Sequence, residues 1–132
     1  METPKKTDPL ETGIGTKEGE SLKPTRVIIK NVMIEMQKDK TGKDVGDKVV
    51  FYCEYPGKED LIKISSAKYE NKSNKLVVTG TWYSLDEDGL LKKNSAISKV
   101  LQTIKVNTLK ESINKELDTT LDDNGYLAIK SY

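Results

Sequence analysis

The chain has 132 residues, 22 lysines and arginines against 21 acids, no histidine and one cysteine, Cys53. Within these residues, zinc sites built on His and Cys, Ser-His-Asp or Cys-His catalysis and an intrachain disulfide are therefore excluded. A formal net charge of +1 supplies no overall field toward nucleic acid or an anionic membrane, so such binding needs a locally basic face.

Residues 1–24 hold three of the four prolines, and their only large apolar residues after Met1 are Leu10, Ile14 and Leu22. Such a segment cannot bury enough surface to offset its ordering entropy, and a disordered tail is expected. It carries four lysines against five acids, so it is not a basic arm. It has no hydrophobic stretch of a signal peptide, and no apolar run in the chain nears the roughly 20 residues of a membrane span. A cytoplasmic protein is expected, with no membrane partner.

One folded domain is expected over residues 25–132. It opens on the β-branched run Arg26 to Met36. Val27 and Ile29 alternate on one phase and Val32, Ile34 and Met36 on the other, so the phase slips near Lys30-Asn31, as at a bulge. Asp39–Lys43 reads as a hairpin loop. A second strand is expected from Lys48 to Glu54, ended by Pro56-Gly57, and a third from Leu61 to Tyr69. Asn71–Asn74 is a turn, and a fourth strand runs from Lys75 to Ser84. Gly80 inside it marks a bend or a close backbone approach. Asp86–Gly89 is another turn. Ile97, Val100, Leu101 and Ile104 recur with helical spacing behind a cap at Asn94 or Ser95. Thr108–Glu111 is a capping-box pattern. Two last strands, 115–121 and 126–132, flank Asp122-Asp-Asn-Gly125, a tight-hairpin signal. Cys53, in Val49-Val50-Phe51-Tyr52-Cys53, reads as a buried small hydrophobe.

This order of curved strands, one amphipathic helix and a terminal hairpin resembles an OB-fold. The expected fold class is mainly β, an OB-like Greek-key barrel with one helix between strands. In that likeness the first strand is long and bent, segments 48–54 and 61–69 together make the second barrel strand, and the helix at 95–105 plugs the barrel bottom. The closing segment is also similar to uncharacterised archaeal and viral proteins, with no function attached.

The resemblance implies a groove where aromatic side chains stack bases and lysines meet phosphates. If Val49, Phe51 and Cys53 face the core, Tyr52 faces out. If Leu76 and Val78 face in, Trp82 does too, while Lys75 and Tyr83 face out. If Leu127 and Ile129 face in, Tyr126, Lys130 and Tyr132 face out together. The candidate nucleic-acid-binding residues are Tyr52, Lys63, Lys68, Lys75, Trp82, Tyr83, Tyr126 and Lys130. Lys92 and Lys93 could add phosphate contacts. Arg26 is the only arginine. Duplex readout of guanine usually needs that side chain, so a single strand, DNA or RNA, is the expected partner. The competing reading makes the tyrosines half-buried strand residues, Trp82 a core residue and the lysines a solvated surface.

Other chemistry fits less well. With Gly89 at position 6 of a calcium loop, Ser84 and Ser95 fall at positions 1 and 12, where acids are needed. Glu35, Glu54 and Glu70 sit among lysines and show no sign of a buried acid–base pair. The expectation is a non-enzymatic module without cofactor or metal. Its rival is a protein-interaction or structural module of the same fold, and a homodimer through a sheet edge fits either. The two differ in one feature: nucleic-acid binding asks Tyr52, Tyr83, Lys63, Lys75 and Lys130 to gather on one concave face, whereas scattered lysines with glutamates interleaved favour the interaction module.

Overall fold

A computed structural model describes residues 22–132, and the expected tail lies outside them except for its last three residues. Those three lead into the fold: the Lys23 carbonyl accepts from the Tyr55 hydroxyl at 2.8 Å. The architecture is mainly β with one helix. Strands β1 (Val27–Lys38), β2 (Asp44–Glu54), β3 (Ile62–Ile64), β4 (Ser66–Glu70) and β5 (Leu76–Gly80) precede helix α1 (Ala96–Thr103). A 3₁₀ turn at Lys110–Ser112, then β6 (Glu116–Leu117), β7 (Thr119–Leu121) and β8 (Leu127–Ser131), complete it. No helix among the described residues is long and apolar enough to cross a membrane.

Two four-stranded sheets, β3-β2-β1-β6 and β5-β4-β8-β7, are halves of one strongly curled surface. Only Ser65 separates β3 from β4, and only Asp118 separates β6 from β7. The pairings therefore run round a circuit: β1 with β2, β2 with β3, β4 with β8, β8 with β7, and β6 back to β1. All are antiparallel except β4 with β8, where Ala67 stands opposite Ile129.

The bulge in β1 falls where the alternation slips. Ile29 pairs with Cys53 and Asn31 with Tyr52, leaving Lys30 as the extra residue. Its effect is to return the chain to the core phase. Val27 and Ile29 before the slip, and Val32 after it, all pack in the core with Val49, Phe51 and Cys53. Without the extra residue Val32 would point to the opposite face.

The strand assignment around Pro56-Gly57 needs correction. Segments 48–54 and 61–69 are not one interrupted strand. They run antiparallel, with Phe51 opposite Ile64 and Tyr52 opposite Lys63. The Lys58 N–H donates to the Tyr55 carbonyl at 3.1 Å, and Gly57 has φ +84°, so the chain reverses there. They are the second and third strands of the circuit, and β5 is a spur paired, among the described residues, only with β4. The second strand also starts four residues earlier than expected, at Asp44, because Asp44 and Gly46 pair across the arm with Lys38 and Gln37.

Four hairpin loops share one construction. In 39–43, 71–75, 86–90 and 122–126 the first side chain, Asp39, Asn71, Asp86 or Asp122, accepts from the N–H groups two and four residues on. Its own N–H donates to the fifth carbonyl. The fourth residue is left-handed in each: Gly42, Asn74, Gly89 and Gly125. Glycine takes that conformation without strain, and asparagine at a smaller cost than most residues. Asp86 and Asp122, which head the two later acidic clusters, are thus engaged by their own loops. In the first loop the Thr41 hydroxyl, followed by the loop N–H groups, holds the Asp39 carboxyl below its usual range.

Helix α1 starts at Ser95, whose hydroxyl accepts from the Ser98 N–H. Ala96, Ile97 and Val100 pack under the curl against the core. Ser98 is buried, and its hydroxyl donates to the Lys92 carbonyl at 2.6 Å. The 3₁₀ turn begins at the expected capping box, where the Thr108 hydroxyl accepts from the Glu111 N–H.

Candidate nucleic-acid interface

The candidate site is the outer face of β1, β2 and β3. On β2 the side chains of Val49, Phe51 and Cys53 go to the core, so Lys48, Val50 and Tyr52 alternate outward. Lys63 stands opposite Tyr52, with its Nζ 5.3 Å from the phenol ring centre. On β1, Glu35 accepts a hydrogen bond from the Tyr52 hydroxyl. That bond, and then partial burial, raises the Tyr52 phenol above its ordinary pKa.

Trp82 reaches this face by a strand crossing. After Gly80 the chain leaves β4 and runs beside β2. The Thr81 N–H donates to the Ser65 carbonyl at 2.9 Å, the Val49 N–H donates to the Thr81 carbonyl at 2.7 Å, and the Tyr83 N–H donates to the Asp47 carbonyl at 2.8 Å. The fully buried Thr81 hydroxyl donates to the Val49 carbonyl at 2.7 Å and ties the crossing down. Trp82 is then opposite Lys48, on the outer face, with the Lys48 Nζ 5.2 Å from its ring centre. Two glycines seat the indole. A Cβ at Gly46 would lie 3.6 Å from the ring, and one at Gly80 only 2.9 Å from its Nε1 and 2.7 Å from the Lys48 Cε. The close approach expected at Gly80 is this one.

The expected inward direction of Trp82 is overturned. Thr79 pairs with the core residue Ala67, while Val78 pairs with Lys68 and Gly80 with Ser66. The outward set is therefore Leu76, Val78, Gly80 and Trp82, and the indole is 38% exposed. Tyr83 has the opposite parity. It lines a groove of about 590 Å³ with Leu85, Leu90, Leu91, Leu101 and Leu109, between the 86–90 loop and α1.

The structure thus brings together Tyr52, Lys63 and Trp82 and adds Lys48 and Glu35. It does not gather the rest. Lys75 is in the 71–75 loop, with all of β5 between it and Trp82, about 20 Å of strand. Lys68 and Lys130 are register partners past the Ser65 bend, and the Lys130 Nζ lies 5.1 Å from the Tyr132 ring centre. Tyr126 is at the 122–126 loop, 72% exposed. Lys92 and Lys93 belong to the helix entrance, where the Lys92 carbonyl accepts from the Ser95 and Ser98 hydroxyls. Arg26 is engaged by Asp118 and Glu116 at 3.0 and 3.1 Å, away from the outer face.

Comparison of the chain with protein-family models, curated proteins and solved structures finds no match.

Among the described residues no three His, Cys, Asp or Glu side chains come together as metal ligands. Cys53 is buried in the core and lies outside the site. What the outer face offers is two aromatic rings about 13 Å apart along β2, each under a lysine ammonium. Among the described residues neither lysine is held by a carboxylate in an ion pair.

Proposed function

We propose that the chain is a non-enzymatic binding module that takes single-stranded nucleic acid across the outer face of β1, β2 and β3, with little preference for sequence. The observation that carries this reading is the pair of lysine-topped rings, Tyr52 with Lys63 and Trp82 with Lys48, on one sheet face. The order of strand pairing adds support. A circuit whose third and fifth strands are parallel, with a helix before the fourth, is compatible with the OB-like reading, in which strands two and three form the oligonucleotide face.

Magnitudes favour stacking. An ammonium over an exposed ring contributes about 0.5–1 kcal/mol. A base stacked on an aromatic side chain contributes about 1–3 kcal/mol. An arriving base therefore displaces the lysine from the ring, and the freed ammonium meets the adjacent phosphate. Every base has a π-face and lysine is a point charge, so the site reads backbone and stacking more than sequence. Glu35, beside Tyr52, opposes a polyanion and limits affinity.

The test is anisotropy of labelled oligo-dT, and of a matched duplex, titrated at two salt concentrations. Micromolar binding to the single strand is expected. With two phosphate-neutralising lysines, a fourfold rise in salt weakens it roughly sevenfold. Absence of binding at low salt, or binding indifferent to salt, contradicts the reading.

A second reading, a protein-interaction module of the same fold, is favoured by the apolar groove beside Tyr83, by the dispersal of Lys75, Tyr83 and Lys130, three of the five residues that nucleic-acid binding asks to gather, and by Glu35 among the lysines. No oligo-dT binding by the wild-type chain, with a protein partner whose capture is lost on Tyr83→Ala and kept on Trp82→Ala, would support it.

A further inference from the structure

From the free edge of β5 we infer that this chain self-associates, two copies joining their β5 strands antiparallel into one continuous sheet. Among the described residues β5 ends its sheet, with β4 as its only strand partner. An edge strand presents unpaired N–H and C=O groups, and monomeric proteins blunt such edges with short strands, charges, prolines or bulges. The other edges in this fold are blunted. β3, β6 and β7, which also end their sheets, are only two or three residues long. The open side of β1 beyond Ile28 carries Lys30, Glu35 and Lys38 and has register shifts near both ends. β5 has none of these devices. Its sequence, Leu76-Val77-Val78-Thr79-Gly80, is uncharged, β-branched and regular in register.

The occupant is a second copy because the strand complements itself. An antiparallel pair centred on Val78 sets Val77 opposite Thr79 and Leu76 opposite Gly80. Leu76 is 48% exposed and shares the outer face with Gly80 and Trp82. In the pair, Leu76 of one protomer comes over Gly80 of its partner, beside the indole and the Lys48 stem that crowd that glycine. Each protomer thus covers a half-exposed leucine with the other's half-exposed tryptophan. The near-zero net charge puts up no long-range barrier. The inference does not rest on nucleic-acid binding, but the pair covers part of the Trp82 platform, so self-association and base stacking compete for that ring.

The test is sedimentation velocity on the full 132-residue chain from low to high micromolar concentration, with Trp82 emission read in parallel. The expected result is a mass rising from one chain to two, with a blue shift of the emission. Val78→Glu puts a carboxylate opposite Lys68 within the chain, where it is tolerated, but opposite its own copy in the pair. Association should weaken at least about tenfold. Mixing this variant with the double variant Lys68→Glu, Val78→Lys should restore it. A wild-type chain that stays monomeric throughout, Val78→Glu associating like wild type, or a mixture that stays monomeric each overturns the proposal.

Discussion

Gly80→Ala separates the fold from the binding face. The glycine does not have positive φ, so alanine fits its backbone. The added methyl would stand 2.7 Å from the Lys48 Cε, 3.2 Å from its Nζ and 2.9 Å from the Trp82 Nε1. Carbon atoms rest about 3.5–4.0 Å apart, so the lysine must retreat by about 1 Å and the indole must turn. Overpacking a rigid core costs about 1–3 kcal/mol, but the atoms met here are at the ends of mobile side chains and can give way. Loss of glycine entropy from the unfolded chain returns about 0.4–1 kcal/mol. Stability should therefore stay within about 1 kcal/mol of wild type. The platform does not survive: the seat of the indole and the lysine above it are both displaced. If one base stacks on Trp82, binding weakens by about 1–3 kcal/mol, from roughly fivefold to 150-fold. Trp82 is the only tryptophan, so emission of the free protein reports its displacement, urea melts report stability and oligo-dT anisotropy reports binding. Unshifted emission would refute the geometry. Shifted emission with unchanged affinity would refute the role of Trp82.

Phe51 is fully buried at the centre of the core, and Phe51→Ala should cost about 3–5 kcal/mol, seen as a lower urea midpoint with an unchanged slope. Burial pushes the Cys53 thiol up to about 12, so in the folded protein it should resist Ellman's reagent at pH 8 and react once denatured. An ordinary thiol ionises near 8.5. The unfolded chain therefore sheds this proton first as pH rises, and the contribution of Cys53 to stability is complete below about pH 8.5 and lost between there and pH 12. Asn74 is left-handed where the three sister loops use glycine, so Asn74→Gly should leave the melting temperature unchanged or higher, while Gly125→Ala should lower it by the equivalent of about 1 kcal/mol.

Local signals made much of this fold legible. The four loops follow from an Asp or Asn side chain and a left-handed residue three positions later, all within five residues. The bulge in β1 shows as a broken alternation, and α1 as a spaced stripe behind a serine cap. The pairing of strands is a long-range property, and there the sequence misleads. Pro56-Gly57 looks the same whether it interrupts a strand or reverses it. Leu76-Val77-Val78 is apolar on both faces and carries no phase, so the sequence inverts the direction of Trp82. Lys48 is hard to read as a site residue because it stands at the expected start of β2, where alternation is least defined. Read from Phe51 backward, the same alternation sends Lys48 outward with Tyr52. Grouping Lys75 and Lys130 with Tyr52 failed because a five-residue spur and the Ser65 bend carry them elsewhere.

Trp82 and Tyr83 are adjacent in sequence, both aromatic and partly exposed, and they point to opposite sides of one strand. The most direct test of the account is therefore oligo-dT affinity at low salt for Trp82→Ala against Tyr83→Ala, each first shown to be folded. The account predicts at least a roughly fivefold loss for Trp82→Ala and none for Tyr83→Ala. Equal losses, or loss only for Tyr83→Ala, would contradict the outer face as the binding surface.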